Sequence, residues 1–206
     1  GAIQVGYRPY AYGGFVEVEV ATEELTVTKT ANTSYTRTHD WSIDKSVDTE
    51  NGCELEDGTP KIWLYIDGSG DETATWTVDV TYEGYVDSDF KVSGTVTIKN
   101  TGETDAEITS VVDELCDGEI DVVWPEGTEF PYILEAGATL EGTYSEDVDE
   151  MVDCSNEVTV TTKEETYIGD AEIDWEAADV NEVNAIVTVK DISDLFDEVE
   201  LGTVTA

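Results

Sequence analysis

The chain has 206 residues and carries 49 acidic against nine basic side chains, a formal net charge of −40 at pH 7. Such a charge repels nucleic acids and anionic membranes, which makes both poor partners and argues against nucleic-acid binding. No run of about 18 apolar residues is present, so the sequence predicts no membrane-spanning helix. The acid excess predicts either a high-salt environment that screens the charges or neutralisation by divalent cations.

The chain begins with an arm followed by a strand. A Gly/Tyr-rich leader, residues 6–14, precedes alternating apolar and polar side chains from Phe15 to Thr30. An exposed strand of this kind aggregates unless another sheet takes it up. We therefore predict that residues 1–30 form an extended arm and a donor strand for a neighbouring copy. The donor residues are Val16, Val18, Val20, Leu25 and Val27, and the arm anchors are Tyr7, Tyr10 and Tyr12.

Most of the remaining chain predicts short strands separated by turn residues. Alternating side chains indicate strands at residues 35–47, 73–82, 91–100, 106–113, 119–124, 138–144 and 156–163, with a further strand at 61–66. One helical turn is expected around residues 192–199. The pattern predicts an all-β fold, an antiparallel Ig-like Greek-key β-sandwich.

Two internal sequence repeats indicate the domain organisation. Residues 94–100 recur as 185–191, and Asp40-Trp41 recurs as Asp174-Trp175. We therefore predict that a second domain begins at about residue 166 and stops after two or three strands.

The second repeat is a sequence similarity between the first strand and the last strand of the first domain. Val18, Val20, Thr22, Glu24 and Thr26 match residues 158–166 at a constant offset. The opening strand thus resembles the closing strand that the second domain lacks.

We predict a complete sandwich over residues 31–165 and an incomplete one over residues 166–206. A neighbour's residues 1–30 complete the incomplete sandwich in trans by strand addition. The acceptor groove is predicted to be lined by Trp175, Val187 and Val189.

The runs TVTKTANTSYTRTHDWSIDKSVD, YVDSDFKVSGTVTIKNTG, ITSVVDEL and FPYILEAGATLEGTYS together resemble a family of secreted prokaryotic Ig-like repeat domains. The resemblance covers about residues 25–163 and, in weaker form, 170–206. It implies a β-sandwich with an extracellular structural or adhesive role, and no enzymatic activity. The extreme acidity, the inserted residues 48–60 and the short last repeat depart from the family's pattern. The donor-strand arrangement is similar in architecture to that of pilus and matrix-filament subunits.

The three cysteines, Cys53, Cys116 and Cys154, fit no metal-ligand spacing. Outside the cell a Cys116–Cys154 disulfide would stabilise the fold by roughly 3–4 kcal/mol. A Cys53–Cys154 pairing is nearly as good. The sequon at Asn32 predicts N-glycosylation and agrees with an extracellular location.

An isopeptide bond is a further hypothesis, between Lys45 and Asn156. Lys45 shares the parity of Ile43, which predicts an inward orientation where an unpaired ammonium is costly. Asn156 shares the parity of the apolar residues on its own strand. The sequence shows no obvious inward acid for the buried carboxyl that such a bond needs, and Asp113 is the best of poor choices. The alternative is that Lys45 extends to the rim of the sheet.

Calcium is the one cofactor that the sequence suggests. Asp67, Ser69, Asp71 and Glu72 place oxygen ligands around glycines, although they lack a complete calcium-loop signature.

The single His39 lies in a predicted strand with no nucleophile motif, so we expect no enzymatic activity.

These observations predict a secreted structural subunit of an extracellular filament, located at the cell surface after removal of a signal peptide. Its partners are copies of itself, joined head-to-tail, with surface glycans or neighbouring cells as further candidates. One alternative is an Ig-like binding or spacer module from a larger adhesin. Another is a calcium-buffering component of a surface layer.

Overall fold

The computed structural model describes residues 22–70, 72–116, 118–193 and 196–206. Within these ranges the structure is all-β and its strands pair predominantly in antiparallel fashion, as predicted. In chain order, the strands are β1 (Leu25–Lys29), β2 (Asn32–Thr49), β3 (Ala74–Asn100), β4 (Ala106–Leu115), β5 (Gly118–Ile120), β6 (Val122–Val123), β7 (Tyr132–Leu134), β8 (Thr139–Val148), β9 (Asn156–Thr162), β10 (Thr166–Asp170), β11 (Asp179–Val183), β12 (Ile186–Ser193) and β13 (Phe196–Thr205).

The strands form three sheets. The first has the order β11-β2-β3-β8-β6, with β1 also paired to β3, and the second has the order β10-β9-β4-β5, with β7 paired to β4. The third is the two-stranded β12-β13 pair.

The chain divides into two compact units, each built from segments distant in sequence. Unit 1 contains the described residues up to Tyr35 together with Asp89–Asp179, and unit 2 contains Thr36–Ser88 together with Val180–Ala206. This division differs from the boundaries predicted at residues 30/31 and 165/166. The long strands β2 and β3 cause the difference, because each contributes residues to both units.

Unit 1 holds an apolar core contributed by both of its sheets. Alternate residues are completely buried, as in Val158 and Val160 of β9 or Val96 and Ile98 of β3, because alternate side chains of a strand point to one face. The core cluster consists of Leu25, Val92, Val96, Ile98, Ala106, Ile108, Leu115, Leu134, Leu140, Tyr144, Val158 and Val160. Unit 1 therefore has the two-layer packing of a β-sandwich.

Two local predictions are wrong. Residues 61–66 were expected to form a strand, but they lie in a loop where the Tyr65 N–H donates to the Ser69 carbonyl at 2.6 Å. Their apolar run lacks the alternation that fixes a strand on a core. Residues 192–199 were expected to form a helical turn, but the described ones belong to β12 and β13.

Candidate functional site

A cluster of polar side chains is buried inside unit 1. The Lys29 Nζ forms an ion pair with the Asp113 Oδ1, and both side chains are fully buried. The same Nζ lies over the ring of Tyr144, 4.4 Å from its centroid. The Tyr144 hydroxyl accepts a hydrogen bond from the Asn156 Nδ2 at 2.9 Å and donates one to the Thr30 carbonyl at 2.6 Å. Lys29, Asp113, Tyr144 and Asn156 are called the buried polar cluster below.

A β-bulge directs Asp113 into the core. In the first half of β4 the buried positions are even-numbered, Ala106 and Ile108, whereas in the second half they are odd-numbered, Asp113 and Leu115. The pairing of β4 with β9 shifts register between Ile108 and Ser110. One extra residue on a strand reverses its alternation, so the bulge turns Asp113 inward.

Strand register brings Asp113 and Asn156 to the same part of the core. Asp113 pairs with Val158, and Leu115 pairs with Asn156. Asp113 and Asn156 are therefore diagonal neighbours on one face of the second sheet, a position in which backbones are typically about 7–8 Å apart. Lys29 approaches them from β1 of the first sheet, where it shares the inward face of Leu25.

Burial favours the uncharged forms of both partners in the ion pair. Desolvation lowers the pKa of Lys29, an effect that the hydrogen bond and charge of Asp113 oppose. Desolvation likewise raises the pKa of Asp113, against the opposing hydrogen bond and charge of Lys29. The environment thus shifts the pair towards a neutral amine beside a carboxylic acid.

Two acceptor atoms of the cluster have no donor. The Asp113 Oδ2 and the Asn156 Oδ1 are buried and without a hydrogen-bond partner within the described part of the chain. Leaving such an atom unsatisfied costs about 1–3 kcal/mol. A proton on the Asp113 Oδ2 would turn that atom into a donor, and the Asn156 Oδ1 is an available acceptor on the adjacent strand.

Within the described residues, unit 2 exposes more large apolar side chains than unit 1 does. Every buried apolar side chain of the core cluster belongs to unit 1, within the residues that the structure describes. In unit 2, Ile43, Trp76 and Ile192 are 62%, 59% and 75% exposed.

A groove in unit 2 is lined by apolar side chains, of which Ile43 is one of the exposed ones. Trp41 and Ile43 of β2, Val80 of β3, and Val187 and Val189 of β12 line a space of about 380 Å³. We call this the apolar groove. It contains two of the three predicted acceptor residues, Val187 and Val189.

The third predicted acceptor residue, Trp175, belongs to unit 1. Its ring packs edge-on against Phe90 with centroids 5.9 Å apart, and its indole N–H donates to the Val152 carbonyl at 2.8 Å. Trp175 therefore packs against the core of unit 1 and does not line the apolar groove.

Polar contacts fix the strands that carry the apolar groove. The Lys45 Nζ forms an ion pair with Asp191 at 2.7 Å and lies 4.7 Å above the Trp76 ring. The His39 Nε2 is 2.5 Å from the Glu182 carboxylate, and its Nδ1 is 2.8 Å from the Tyr82 hydroxyl. These contacts tie His39 of β2 to β3 and β11.

The structure contradicts the pairing of Lys45 with Asn156 in the isopeptide hypothesis. Lys45 is exposed, paired with Asp191, and part of unit 2, whereas Asn156 lies in unit 1. Lys29 occupies the position beside Asp113 instead. The sequence contained a signal for the inward orientation of Lys29, because Lys29 shares one face of a short strand with Leu25 and Val27.

Two of the predicted donor residues belong to the chain's own sandwich. Leu25 pairs with Asn100 and Val27 pairs with Ile98, so β1 is already hydrogen-bonded to β3. This corrects their assignment as donors, because a strand paired and buried in its own chain does not fill a neighbour's groove. Val16, Val18 and Val20, with Tyr7, Tyr10 and Tyr12, lie outside the described residues.

The predicted Cys116–Cys154 disulfide is confirmed, with Cα atoms 5.2 Å apart, and Cys53 is a free thiol. It joins the end of β4 to the segment before β9.

The sequon residue Asn32 is exposed at the start of β2, and its glycosylation stays a prediction.

The residues of the predicted calcium site make other contacts. Asp67 accepts hydrogen bonds from the backbone N–H and hydroxyl of Ser69. Glu72 accepts from the Asn51 amide and the Trp63 N–H. Asp71 lies outside the described residues, and within the described ones no group of three His, Cys, Asp or Glu side chains is placed to hold a metal ion.

Comparison with known proteins gives no relative: no family model, curated protein or solved structure matches the chain. The described residues include no helix long and apolar enough to cross a membrane.

Proposed function

We propose that the protein is a structural subunit of an extracellular filament. Copies assemble head-to-tail, and an N-terminal strand of one copy fills the apolar groove of the next. The observation that carries the proposal is the contrast between the units: the core cluster of the described residues lies in unit 1, while unit 2 holds a groove lined by apolar side chains, including the exposed Ile43.

A β-strand is the occupant that suits the apolar groove. β12 pairs only with β13 in the described structure, and an isolated two-stranded sheet is marginally stable in water. An added strand would supply main-chain hydrogen bonds along a free edge and alternate side chains to the groove.

Residues 15–20 have the sequence pattern of a strand that would match this groove. Val16, Val18 and Val20 alternate with polar residues, and the offset match places Val18 and Val20 with Val158 and Val160, which are completely buried in unit 1. Burying one such valine contributes about 1.5–3 kcal/mol. Burial of all three in the groove restricts the register, because a shift by one residue would turn them to the opposite face.

A contact between two different surfaces propagates instead of closing into a dimer. The net charge of −40 on each subunit opposes that contact. Salt at about 1 M shortens the screening length to about 3 Å, so we expect assembly to require high salt or divalent cations such as calcium. The disulfide supports an extracellular location, where such bonds persist.

The test uses complementary variants of the full chain. A donor variant carries Val16→Asp, Val18→Asp and Val20→Asp, and an acceptor variant carries Val187→Asp and Val189→Asp. In high salt the unmodified chain forms fibres visible by electron microscopy, and each variant alone remains monomeric. An equimolar mixture of the two gives dimers that grow no further, because only one productive contact is left.

A matched control changes the opposite face of the donor strand, with Glu17→Ser and Glu19→Ser, and should still form fibres. Monomers from the unmodified chain, or fibres from the donor variant, would reject the proposal. The first result would instead favour the binding-module alternative, or a strand that fills the groove of its own chain.

A further inference from the structure

We propose that unit 1 forms an intramolecular isopeptide bond between the Lys29 Nζ and the Asn156 Cγ, with Asp113 as the catalytic residue. The inference is independent of filament assembly, because every participating group lies within one unit of one chain.

The geometry of the buried polar cluster supports the bond. An amine, a carboxyl group and a carboxamide meet around Tyr144, all shielded from water. As a purely non-covalent arrangement the cluster is costly, because charges are desolvated and two acceptors remain without donors. Formation of the bond replaces the ammonium and the primary amide with one neutral secondary amide.

Proton transfer prepares the reactants. Transfer from the Lys29 ammonium to Asp113 leaves a neutral amine, the nucleophilic form of lysine. The protonated Asp113 Oδ2 then donates a hydrogen bond to the Asn156 Oδ1. This one hydrogen bond gives a partner to each of the two atoms that had none. The same hydrogen bond polarises the Asn156 carbonyl and makes its Cγ more electrophilic.

The bonds and protons balance without a further reactant. The Nζ attacks the Cγ and forms a C–N bond, while the carbonyl electrons move to the Oδ1, which Asp113 stabilises. Asp113 then transfers one proton from the attacking nitrogen to the Nδ2. The Cγ–Nδ2 bond breaks, ammonia leaves, and Asp113 ends in its protonated form. No atom is oxidised or reduced.

Tyr144 positions the leaving group. Its hydroxyl accepts a hydrogen bond from the Asn156 Nδ2 at 2.9 Å, which fixes the amide so that its Oδ1 is left for Asp113. Exclusion of water from the core protects the reaction from competing hydration, and confinement of the three groups raises their effective concentration.

Mass spectrometry tests the proposal on the full chain, denatured and reduced. We expect the unmodified protein to be lighter than its sequence by one ammonia, and digestion to yield a branched peptide that joins the segments containing Lys29 and Asn156. Lys29→Met, Asn156→Ala and Asp113→Ala should each restore the full sequence mass. The matched control Lys45→Met should keep the ammonia loss.

The outcome does not depend on the variants folding, because the unmodified protein alone is decisive. A folded chain of full sequence mass would overturn the proposal and leave Lys29 and Asp113 as a buried ion pair. Succinimide formation at Asn51-Gly52 also releases ammonia, but it does not need Lys29. Ammonia loss that persists in the Lys29→Met variant would therefore overturn the proposal as well.

Discussion

Arg37 and Asp87 are joined by two parallel hydrogen bonds, from Nε to Oδ1 and from Nη2 to Oδ2, each 2.8 Å long. They connect β2 to β3 within unit 2. The guanidinium also lies over the Tyr85 ring, 3.8 Å from its centroid. A planar guanidinium makes this forked contact and stacks on an aromatic ring, whereas a lysine ammonium makes neither with the same geometry. Since the described part of unit 2 contributes nothing to the core cluster, such polar contacts are important to its strand alignment.

The hydrogen bonds and charge of Arg37 lower the pKa of Asp87 below its usual value. A carboxyl group with a lowered pKa stabilises the fold above its unfolded pKa of about 3.9 and loses that contribution as the pH falls through the folded pKa. We expect Asp87→Asn to reduce the free energy of unfolding at pH 7 by roughly 1–2 kcal/mol.

Urea unfolding of the monomeric chain at pH 7 and in stronger acid measures this effect. The difference between the unmodified and Asp87→Asn chains should shrink towards zero in acid. Asp44→Asn, on an exposed residue, should leave stability unchanged. An equal difference at both pH values would show that the loss arises from something other than the charge on Asp87.

The sequence predicted the all-β class and the disulfide because both depend on local or pairwise patterns. Alternation of Val158 and Val160 was enough to place them in a core, and only the cysteine pairing had to be chosen. The sequence offered Asp113 only as the best of poor choices for a buried carboxyl, because its burial depends on the bulge after Ile108, which is defined by pairing with another strand. Without the bulge, strict alternation counted from Ile108 would predict that the Asp113 side chain points towards solvent.

The candidate site was only partly predictable for a similar reason. Lys45 shares a face with Ile43, as expected, but that face carries exposed apolar side chains instead of a core. Periodicity shows which residues share a face and does not show which face is buried. The choice between Lys29 and Lys45 needed the sheet pairing of β1 with β3.

Gly94 is required where β1 leaves the sheet. A Cβ at this position would lie 1.9 Å from the Thr30 carbonyl oxygen and 2.9 Å from the Tyr144 ring. We expect Gly94→Ala to cost about 1–3 kcal/mol through overpacking. Tyr144 belongs to the buried polar cluster and donates to the Thr30 carbonyl, so the substitution should also displace the groups that form the isopeptide bond. We therefore expect a larger fraction of the chain to have the full sequence mass.

Intact mass and urea unfolding of Gly94→Ala test both effects together. Ser93→Ala is the matched control on the neighbouring residue, and it should change neither result. A Gly94→Ala chain with unmodified stability would show that β1 shifts freely against β3.

The Cys116–Cys154 disulfide spans 38 residues of sequence. Replacing both cysteines with serine should lower the free energy of unfolding by about 3–4 kcal/mol, from the loss of the constraint on the unfolded chain. Cys53→Ser should have no comparable effect, because Cys53 is a free thiol. Thiol titration of the denatured, unreduced chain should find one thiol, and three would contradict the pairing.

Ile98 and Ile43 separate folding from assembly. Ile98 is completely buried in unit 1, so Ile98→Ala should destabilise the monomer by about 2–5 kcal/mol. Ile43 is 62% exposed at the apolar groove, so Ile43→Ala should change monomer stability by no more than about 0.5 kcal/mol. The same substitution removes apolar contact from the proposed donor strand, and it should raise the protein concentration needed for fibre formation.

Urea unfolding at low salt measures the first effect, and sedimentation of fibres across a concentration series at high salt measures the second. If Ile43→Ala destabilises the monomer as much as Ile98→Ala does, the apolar groove is filled within the chain itself, and the proposed contact between copies loses its acceptor. Unchanged stability with impaired fibre formation would place Ile43 at the contact, because a side chain that leaves folding unaffected acts only where another copy binds.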